Sequence, residues 1–322
     1  MGRRKKGVKI DGWINLHKPV GVTSTQMVGK IRWALGAQKA GHGGTLDPLA
    51  SGILPIALGE ATKTVNFVQD AMKTYIFDVT WGEQRTTDDA EGQIIQSSDK
   101  RPTLDEINTI LGKYIGDIDQ LPPQFSAIKV DGERAYDIAR DGDVADIQSR
   151  EVYIEALNVL DHKGDITTFE CHCGKGTYIR SLARDMGQDL GCFGFISALK
   201  RTKVGAFTLE NAISLDFFDK LRDNTHQDVT HTEVSYEDVV LPLQTVLDDI
   251  PVLALKESEA TRLKNGQGLT FIARPDIERL NKAQILWQED EGDIALAMFN
   301  DKPIAMVEVI GGNIRSLRVF NI

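Results

Sequence analysis

The chain has 322 residues, of which 41% are hydrophobic and 26% are charged, and its formal net charge is −10 at pH 7. This composition is typical of a globular protein with one large and one small domain, and three cysteines do not make a disulfide framework. No apolar stretch approaches the ~18 residues of a membrane span, and the basic start has no apolar segment behind it. We therefore expect a cytoplasmic protein without a secretory signal.

The net negative charge conceals two basic stretches. Residues 1–65 carry ten Lys/Arg against three Asp/Glu, a net charge of +7, and residues 171–205 carry six against two, a net charge of +4. Residues 206–250 carry two against ten, a net charge of −8. Clustered positive charge favours binding of a polyanion, so the two basic stretches can form one surface for a nucleic acid. The alternative is that they are ordinary solvated faces.

Hydrophobic periodicity, capping residues and turn residues predict the secondary structure in chain order. The predicted elements are a strand and turn at 7–20, a helix at 23–36, a buried strand from Ile53, a strand at 73–81, a polar acidic loop at 85–92, a helix after the capping box Thr103–Glu106, an irregular arm at 121–150 with a short helix near 136–140, a strand at 166–173, a helix at 178–190 and an acidic loop at 222–238. After Pro251 we predict a small β-rich domain with a helix at 258–266 and short strands over 269–322.

The segment 41–52 is unusually rich in glycine. Its glycines permit positive φ and a close approach of the backbone to a ligand, and Pro48 biases Asp47 towards an extended conformation. A carboxylate presented in this way is a candidate nucleophile or general base. The alternative is that Asp47 is the N-cap of a helix that begins at Pro48, although Gly52 and Pro55 would limit that helix to a turn or two.

Metal and nucleotide sites find little support in the sequence. Cys171-His172-Cys173 lacks the Cys-x-x-Cys spacing of a zinc site, so we predict core cysteines and no metal. The run 174–177 resembles a phosphate loop, but it lacks the earlier glycine that such a loop needs.

Asp47, Tyr75, Tyr178 and Arg180 form a stronger candidate constellation. Arg180 lies in a first helical turn, where the helix dipole disfavours a cation, which indicates that it has a partner. A buried carboxylate such as Asp47 needs such an ion pair or a hydrogen bond to stay ionised.

An ordered series of motifs resembles the TruB family of tRNA pseudouridine synthases, strongly over 10–215 and weakly over 250–322. The matching segments are Gly41–Gly52, Gly59–Lys63, Lys73–Tyr75, Thr86–Gly92, Pro122–Lys129, Gly174–Ala183 and Leu199–Thr202. The resemblance implies an α+β pseudouridine synthase fold over 1–250, in which a mixed, largely antiparallel central sheet is flanked by helices. It also implies a PUA-like RNA-binding domain over 251–322 and a thumb-like arm over 121–150.

The function implied by the resemblance is conversion of uridine 55 in the TΨC loop of tRNA to pseudouridine. The base would be flipped out, and a catalytic aspartate would either attack the sugar or abstract its 2′ proton, without a cofactor. The implied catalytic residues are Asp47, Tyr75, which stacks on the base, and Arg180, which pairs with the aspartate. The implied substrate-binding residues are His42, Gly43, Lys63, Asp89, Lys129, Tyr178 and Leu199. The expected partner is tRNA, and we expect a monomer with no protein partner and no membrane association.

Two rival functions remain open at this point. A non-catalytic RNA-binding protein can use the same fold. A glycosidase would need a second carboxylate, for which Asp89 is the nearby candidate.

Overall fold

The computed structural model describes residues 7–126, 128–130, 132–223, 236–289 and 291–322. The basic residues at 3–6 lie outside the described residues. So does most of the predicted acidic loop at 222–238, of which the described ends are the last residues of a helix and the short 3-10 helix Tyr236–Asp238.

The described residues up to 223 form strands and helices that alternate along the chain. The strands are β1 (Gly12–Lys18), β2 (Ala40–His42), β3 (Ala50–Leu58), β4 (Lys73–Trp81), β5 (Glu83–Arg85), β6 (Ile94–Ser97), β7 (Gly116–Gln120), β8 (Lys129–Val130), β9 (Glu133–Arg134), β10 (Arg150–Lys163), β11 (Ile166–Cys173), β12 (Gly194–Val204) and β13 (Phe207–Thr208). The helices are α1 (Ser24–Ala34), α2 (Val65–Asp70), α3 (Leu104–Leu111), α4 (Ala135–Arg140), α5 (Ile179–Asp189) and α6 (Leu215–Asp223).

Local sequence signals account for the starts of the main helices. Thr23 caps α1 through a capping box with Gln26, and Thr103 does the same for α3 with Glu106. Gly36 follows the end of α1 with a φ of +59°, a conformation that favours glycine. The predictions of these two helices are confirmed.

A single large sheet organises this part of the chain. Its strand order is β1-β3-β12-β4-β11-β10-β7, with β2 added to β3 and β13 added to β12. The pair β12–β3 is parallel and the other pairs in this sheet are antiparallel, so the prediction of a mixed, largely antiparallel sheet is confirmed. Strand β12 lies between β3 and β4, which places Arg201 between Gly52, at the end of the glycine-rich segment, and Tyr75.

The core lies between this sheet and its helices. Phe77 stacks on Phe169 with ring centroids 5.4 Å apart, and Trp81 meets Phe169 edge-on at 6.3 Å. Cys171 and Cys173 are fully buried on the same strand face, as the alternation of β11 predicts. Leu182 and Met186 of α5 complete this side of the core. The buried aromatic layer anchors the strands that carry the site.

The remaining residues form a second, five-stranded sheet. It contains β14 (Val252–Ala254), β15 (Leu269–Thr270), β16 (Asp293–Phe299), β17 (Lys302–Ile310) and β18 (Asn313–Val319) in the order β14-β16-β17-β18-β15, with helices α7 (Glu257–Lys264) and α8 (Arg274–Lys282). Helix α8 corrects the prediction of strands throughout 269–322. Pro275 suits a first helical turn, and Leu280 buries the inner face of the helix.

The second sheet and the first share an apolar cluster. Leu296, Met306 and Phe320 from the C-terminal part pack with Trp13 and Ile53 from the first sheet. Trp13, Ile53 and Phe320 have no exposed surface. The two parts therefore meet through a buried core.

Among the helices of the described residues, none is long and apolar enough to cross a membrane.

Candidate active site

The glycine-rich segment links β2 to β3 and presents Asp47 at a tight turn. The amide of Ala50 donates to the carbonyl of Asp47 at 3.1 Å, with Pro48 at the second position of the turn, where its fixed φ is favoured. Strand β3 begins at Ala50, so Asp47 is not the N-cap of a helix, and that alternative is wrong. The Asp47 side chain is 36% exposed, which leaves its carboxylate accessible from one side.

Arg180 is the direct partner of Asp47. Its Nε lies 3.0 Å from Oδ2 of Asp47, and its Nη1 lies 3.6 Å from Oδ2 of Asp89. Nη1 also donates to the carbonyl of Thr87, and Nη2 donates to that of Phe125, both at 3.0 Å. One buried guanidinium thus joins the glycine-rich segment, the acidic loop 85–92 and the base of the arm. These acceptors offset the unfavourable position of a cation in the first turn of α5.

Asp89 is held as an acceptor in this network. Its side chain is only 4% exposed. Besides Arg180, its Oδ1 accepts from the hydroxyl of Thr87 and from the amide of Glu91. Both carboxylate oxygens of Asp89 are therefore held by groups of the protein itself.

Tyr75 and Leu199 lie on the sheet next to this network. Tyr75 is the register partner of Cys171 in β11 and of Arg201 in β12, and Leu199 pairs with Phe77 and Ala50. Residues directly opposite each other on neighbouring strands share a face, so Tyr75, Leu199 and Arg201 lie on the same side of the sheet. Burial raises the pKa of the Tyr75 phenol, against the smaller opposing effect of Arg201, so the neutral phenol is favoured.

His42 and Gly43 form the first part of the loop. The amide of Gly43 donates to the carbonyl of Pro55 at 2.8 Å, and a Cβ at Gly43 would lie 2.5 Å from Cγ1 of Val68. Glycine is required here by packing. Burial, and secondarily the charge of Arg201, lowers the pKa of His42, so its ring is neutral at pH 7. Within the described residues its buried Nδ1 has no hydrogen-bond partner.

Tyr178 and Lys129 belong to the arm side of the site. The backbone N–H of Tyr178 donates to Oε1 of Gln120 at 2.7 Å, and its ring packs on the small apolar cluster that includes Ile128 and Ile147. Lys129 lies exposed on β8 within the arm. The arm and the helix that carries Arg180 are therefore in direct contact.

Lys63 makes its contacts away from Asp47. Its Nζ bonds Oε2 of Glu60 at 2.6 Å and the carbonyl of Val319 at 2.7 Å. Glu60 also accepts from the amide of Asn321 at 2.8 Å. Lys63 thus ties the last strand of the chain to the first sheet, and the structure does not bring it into the Asp47–Arg180 group.

Several basic residues that the charge pattern suggested for a surface are buried. Arg180 and Arg201 are 5% and 2% exposed. Lys18, with no exposed surface, donates to the carbonyls of Pro19, Val22 and Pro48 at 2.9, 2.8 and 3.3 Å. Lys18, Arg180 and Arg201 therefore add no exposed charge to the basic stretches, because backbone carbonyls and carboxylates hold them inside.

Lys18 and Arg201 were missed as site residues. Burial lowers the pKa of Lys18 to about 8, with the charge of Asp47 opposing this effect. Each lies within or at the end of a strand, where alternation places it on an inward face. An inward-facing cation in an otherwise apolar alternation is the signal that could have identified both.

Arg184, one turn after Arg180 on α5, also contacts carboxylates and a backbone carbonyl. Nη1 of Arg184 lies 3.3 Å from Oδ2 of Asp88, its Nε lies 2.8 Å from Oδ1 of Asp185, and its Nη2 donates to the carbonyl of Leu121 at 2.7 Å. Asp88 has a φ of +58°, a left-handed conformation that strains a residue with a side chain. Burial raises the pKa of Asp88 to about 6, against the opposing charges of Arg184 and Arg180.

The raised pKa of Asp88 predicts a pH-dependent stability. Between its usual value and about 6 the folded protein binds more protons at Asp88 than the unfolded chain does, so its contribution to the free energy of unfolding falls as the pH rises through that window. We expect Asp88→Asn to remove this slope in urea unfolding measured at a series of pH values. Wild-type and variant curves with the same pH slope would contradict the assignment.

Comparisons with known proteins agree with this geometry. Residues 32–179 match the model of the TruB family pseudouridylate synthase N-terminal domain, and residues 180–248 match that of the tRNA pseudouridylate synthase B C-terminal domain. The chain is 46% identical over 335 residues to the tRNA pseudouridine synthase B of Mesorhizobium japonicum, covering 99% of both chains. It is 45% identical over 328 residues to that of a Caulobacter species, covering 100% of both.

A solved structure shows a related fold. A chain from the crystal structure of a Cbf5-Nop10-Gar1 complex superposes with a TM-score of 0.69 at 25% identity, covering 96% of this chain and 84% of that one. The match extends over both sheets of the present structure. Residues 251–322 lie beyond the two family models, so the similarity of the full-length relatives and of this structure is what covers them.

Proposed function

Because the chain belongs to the TruB family of pseudouridylate synthases, we propose that it converts uridine 55 in the TΨC loop of tRNA to pseudouridine. The observation that carries the proposal is the ion pair between Asp47 and Arg180. Asp47 is accessible while its partner is buried, as a carboxylate that must act on a bound nucleotide requires.

Each of these groups has a part in the proposed reaction. The glycosidic bond between ribose and uracil nitrogen breaks, the base turns, and a bond to carbon replaces it. Arg180 orients the Asp47 carboxylate towards the sugar through their ion pair. The Tyr75 ring stacks on the flipped base and returns ~1–3 kcal/mol of the few kcal/mol that flipping costs. The reaction needs no redox step, metal ion or nucleotide.

The surroundings of the site suit a polyanionic substrate. The neutral His42 ring and the glycines of the loop let an RNA backbone approach closely. The arm 121–150, fixed to α5 through Phe125 and Leu121, is placed to close over the RNA and to exclude water from the reacting sugar. We further propose that 251–322 is a PUA-like RNA-binding domain and that the protein acts as a cytoplasmic monomer.

The two rival functions are distinguished by the same contacts. A non-catalytic RNA-binding protein has no use for an ion pair that orients an accessible carboxylate. A glycosidase needs a second carboxyl group that donates a proton to the leaving group, whereas Asp89 pairs with Arg180 and accepts hydrogen bonds from Thr87 and Glu91. Both contacts support the synthase.

The direct test is to map pseudouridine in unmodified tRNA after incubation with the purified protein. Carbodiimide labelling followed by reverse transcription is expected to give one stop, at position 55. Pseudouridine elsewhere, or none, would refute the proposed position or activity. Release of free uracil would support the glycosidase.

Binding of tRNA is expected to weaken steeply with salt, because Lys and Arg displace counterions from phosphates. A surface that neutralises about six phosphates loses roughly 10³-fold in affinity between 50 and 200 mM salt. We expect replacement of the exposed Lys200 and Lys203 by Gln to reduce the slope of log Kd against log salt. Lys163→Gln, on the distant strand β10, is the matched control and should keep the wild-type slope. A salt-independent Kd would show that the basic side chains do not contact the RNA.

A further inference from the structure

Arg201 occupies the middle of the large sheet and is 2% exposed. On β12 it is the register partner of Gly52 in β3 on one side and of Tyr75 in β4 on the other. Arg201 is thus the residue of β12 that lies directly between the strand that follows Asp47 and the residue Tyr75 on β4.

The guanidinium of Arg201 donates to two backbone carbonyls of the glycine-rich segment and to one of β3. Nη2 donates to the carbonyl of Gly44 at 3.1 Å and Nη1 to that of Thr45 at 3.3 Å, while Nε donates to that of Ile53 at 2.8 Å. Gly44 and Thr45 lead directly into Asp47. Fixing their carbonyls fixes the direction in which the chain reaches the carboxylate.

The same guanidinium acts on Tyr75. Burial raises the pKa of the Tyr75 phenol, and the charge of Arg201 together with its hydrogen bond to the phenol opposes that rise. The two residues are opposite each other on neighbouring strands, and arginine has donors and no acceptor, so towards the phenol oxygen its guanidinium can only donate.

Two glycines, Gly44 and Gly52, lie close to Arg201. A Cβ at Gly52 would lie 2.1 Å from the carbonyl oxygen of Arg201, and Gly44, with a φ of +141°, would place one 3.6 Å from Nη1. The three carbonyl acceptors are uncharged, so burying the cation carries a desolvation cost that an apolar side chain of similar volume would avoid. Packing alone therefore does not account for an arginine here.

We infer that Arg201 is a positioning residue that ties the loop leading into Asp47 to the phenol of Tyr75. It keeps the carboxylate and the ring at a fixed separation as the uridine enters between them. The inference rests on the proposed function, since it concerns the same reaction.

The test replaces Arg201 by Lys, which keeps the charge and loses the planar fork that reaches several carbonyls. We expect the single-turnover rate constant on tRNA to fall roughly 10- to 100-fold, as happens when catalytic groups are displaced, while the Kd for tRNA stays near the wild-type value. Arg101→Lys is the matched control. Arg101 also bonds backbone carbonyls, those of Ser98 and Lys100, and it should keep the wild-type rate.

A double-variant cycle separates positioning from packing. If Arg201 acts through Tyr75, the loss in Arg201→Lys/Tyr75→Phe is smaller than the product of the two single losses, because both changes remove the same contact. Independent, multiplying losses would overturn the inference. So would a wild-type rate in Arg201→Lys.

Thermal unfolding measurements show whether each variant is folded. If Arg201→Lys does not unfold cooperatively, Arg201→Gln gives the same comparison with a planar amide. Failure of both variants to fold would overturn the inference, because Arg201 would then serve the fold. Wild-type protein assayed on the same tRNA shows separately whether the proposed function holds.

Discussion

Asp47→Asn is expected to reduce pseudouridine formation by at least about 10⁴-fold, the scale of loss when a nucleophile or its equivalent is deleted. The asparagine has nearly the same size, so the turn from Asp47 to Ala50 should persist. Its amide carries no charge and can neither attack the sugar nor take its proton. Arg180 keeps Asp89 and two carbonyls as partners, so the fold should remain. Single-turnover kinetics with radiolabelled tRNA measure the effect.

A binding measurement completes the test of Asp47. The Kd of Asp47→Asn for tRNA should stay close to the wild-type value, because the carboxylate is not needed to hold the phosphates. Asp70→Asn, which removes an exposed partner of Lys175, is the control for the loss of one negative charge. Full activity in Asp47→Asn would eliminate the proposed mechanism.

Arg180→Gln is expected to damage both stability and rate. It leaves Asp47 and the buried Asp89 without their cation, and breaking a buried pair in this way costs about 3–5 kcal/mol of unfolding free energy. The carbonyls of Thr87 and Phe125 also lose their donor. We expect the rate constant of the folded variant to fall by roughly 10²–10³-fold, since a charged group that orients the carboxylate is lost. Urea unfolding and single-turnover assays measure the two effects.

Arg184→Gln is the matched control for Arg180. Arg184 lies on the same helix and also contacts the acidic loop 85–92 and the arm. Its partners are Asp88, Asp185 and the carbonyl of Leu121, and not Asp47. We expect a comparable loss of stability with a smaller loss of rate. Equal rate losses in the two variants would show that the contact with Asp47 is not what distinguishes Arg180.

Local signals in the sequence predicted most of the secondary structure, and long-range pairing explains what they missed. Capping boxes and alternation identify α1, α3 and β4, because those signals act over a few residues. Helix α8 was missed because its inner face is supplied largely by Leu280, too little for a clear apolar period.

For a related reason, the sequence predicted some residues of the candidate site and missed others. Motifs predicted Asp47, Tyr75 and Arg180; the structure pairs Asp47 with Arg180 and places Tyr75 opposite Arg201. The buried Lys18 and Arg201 were counted with the surface charges, although their acceptors are backbone carbonyls. Lys18 bonds the nearby Pro19 and Val22 as well as Pro48, whereas the acceptors of Arg201 lie about 150 residues away in the chain. Backbone carbonyls leave no trace in side-chain composition, so the sequence indicates such cations only through their inward position in an apolar strand.

The apolar cluster shared by the two sheets decides how the C-terminal region can be studied. Deleting residues 251–322 would strip Phe320, Met306 and Leu296 from Trp13 and Ile53 and leave a water-exposed apolar patch on the enzyme. A truncated protein would then aggregate for reasons unrelated to RNA. Charge substitutions on the outer surface of this region, which leave Phe320 in place, are the informative route. The shared cluster also means that the region cannot be exchanged between relatives without its matching partner surface.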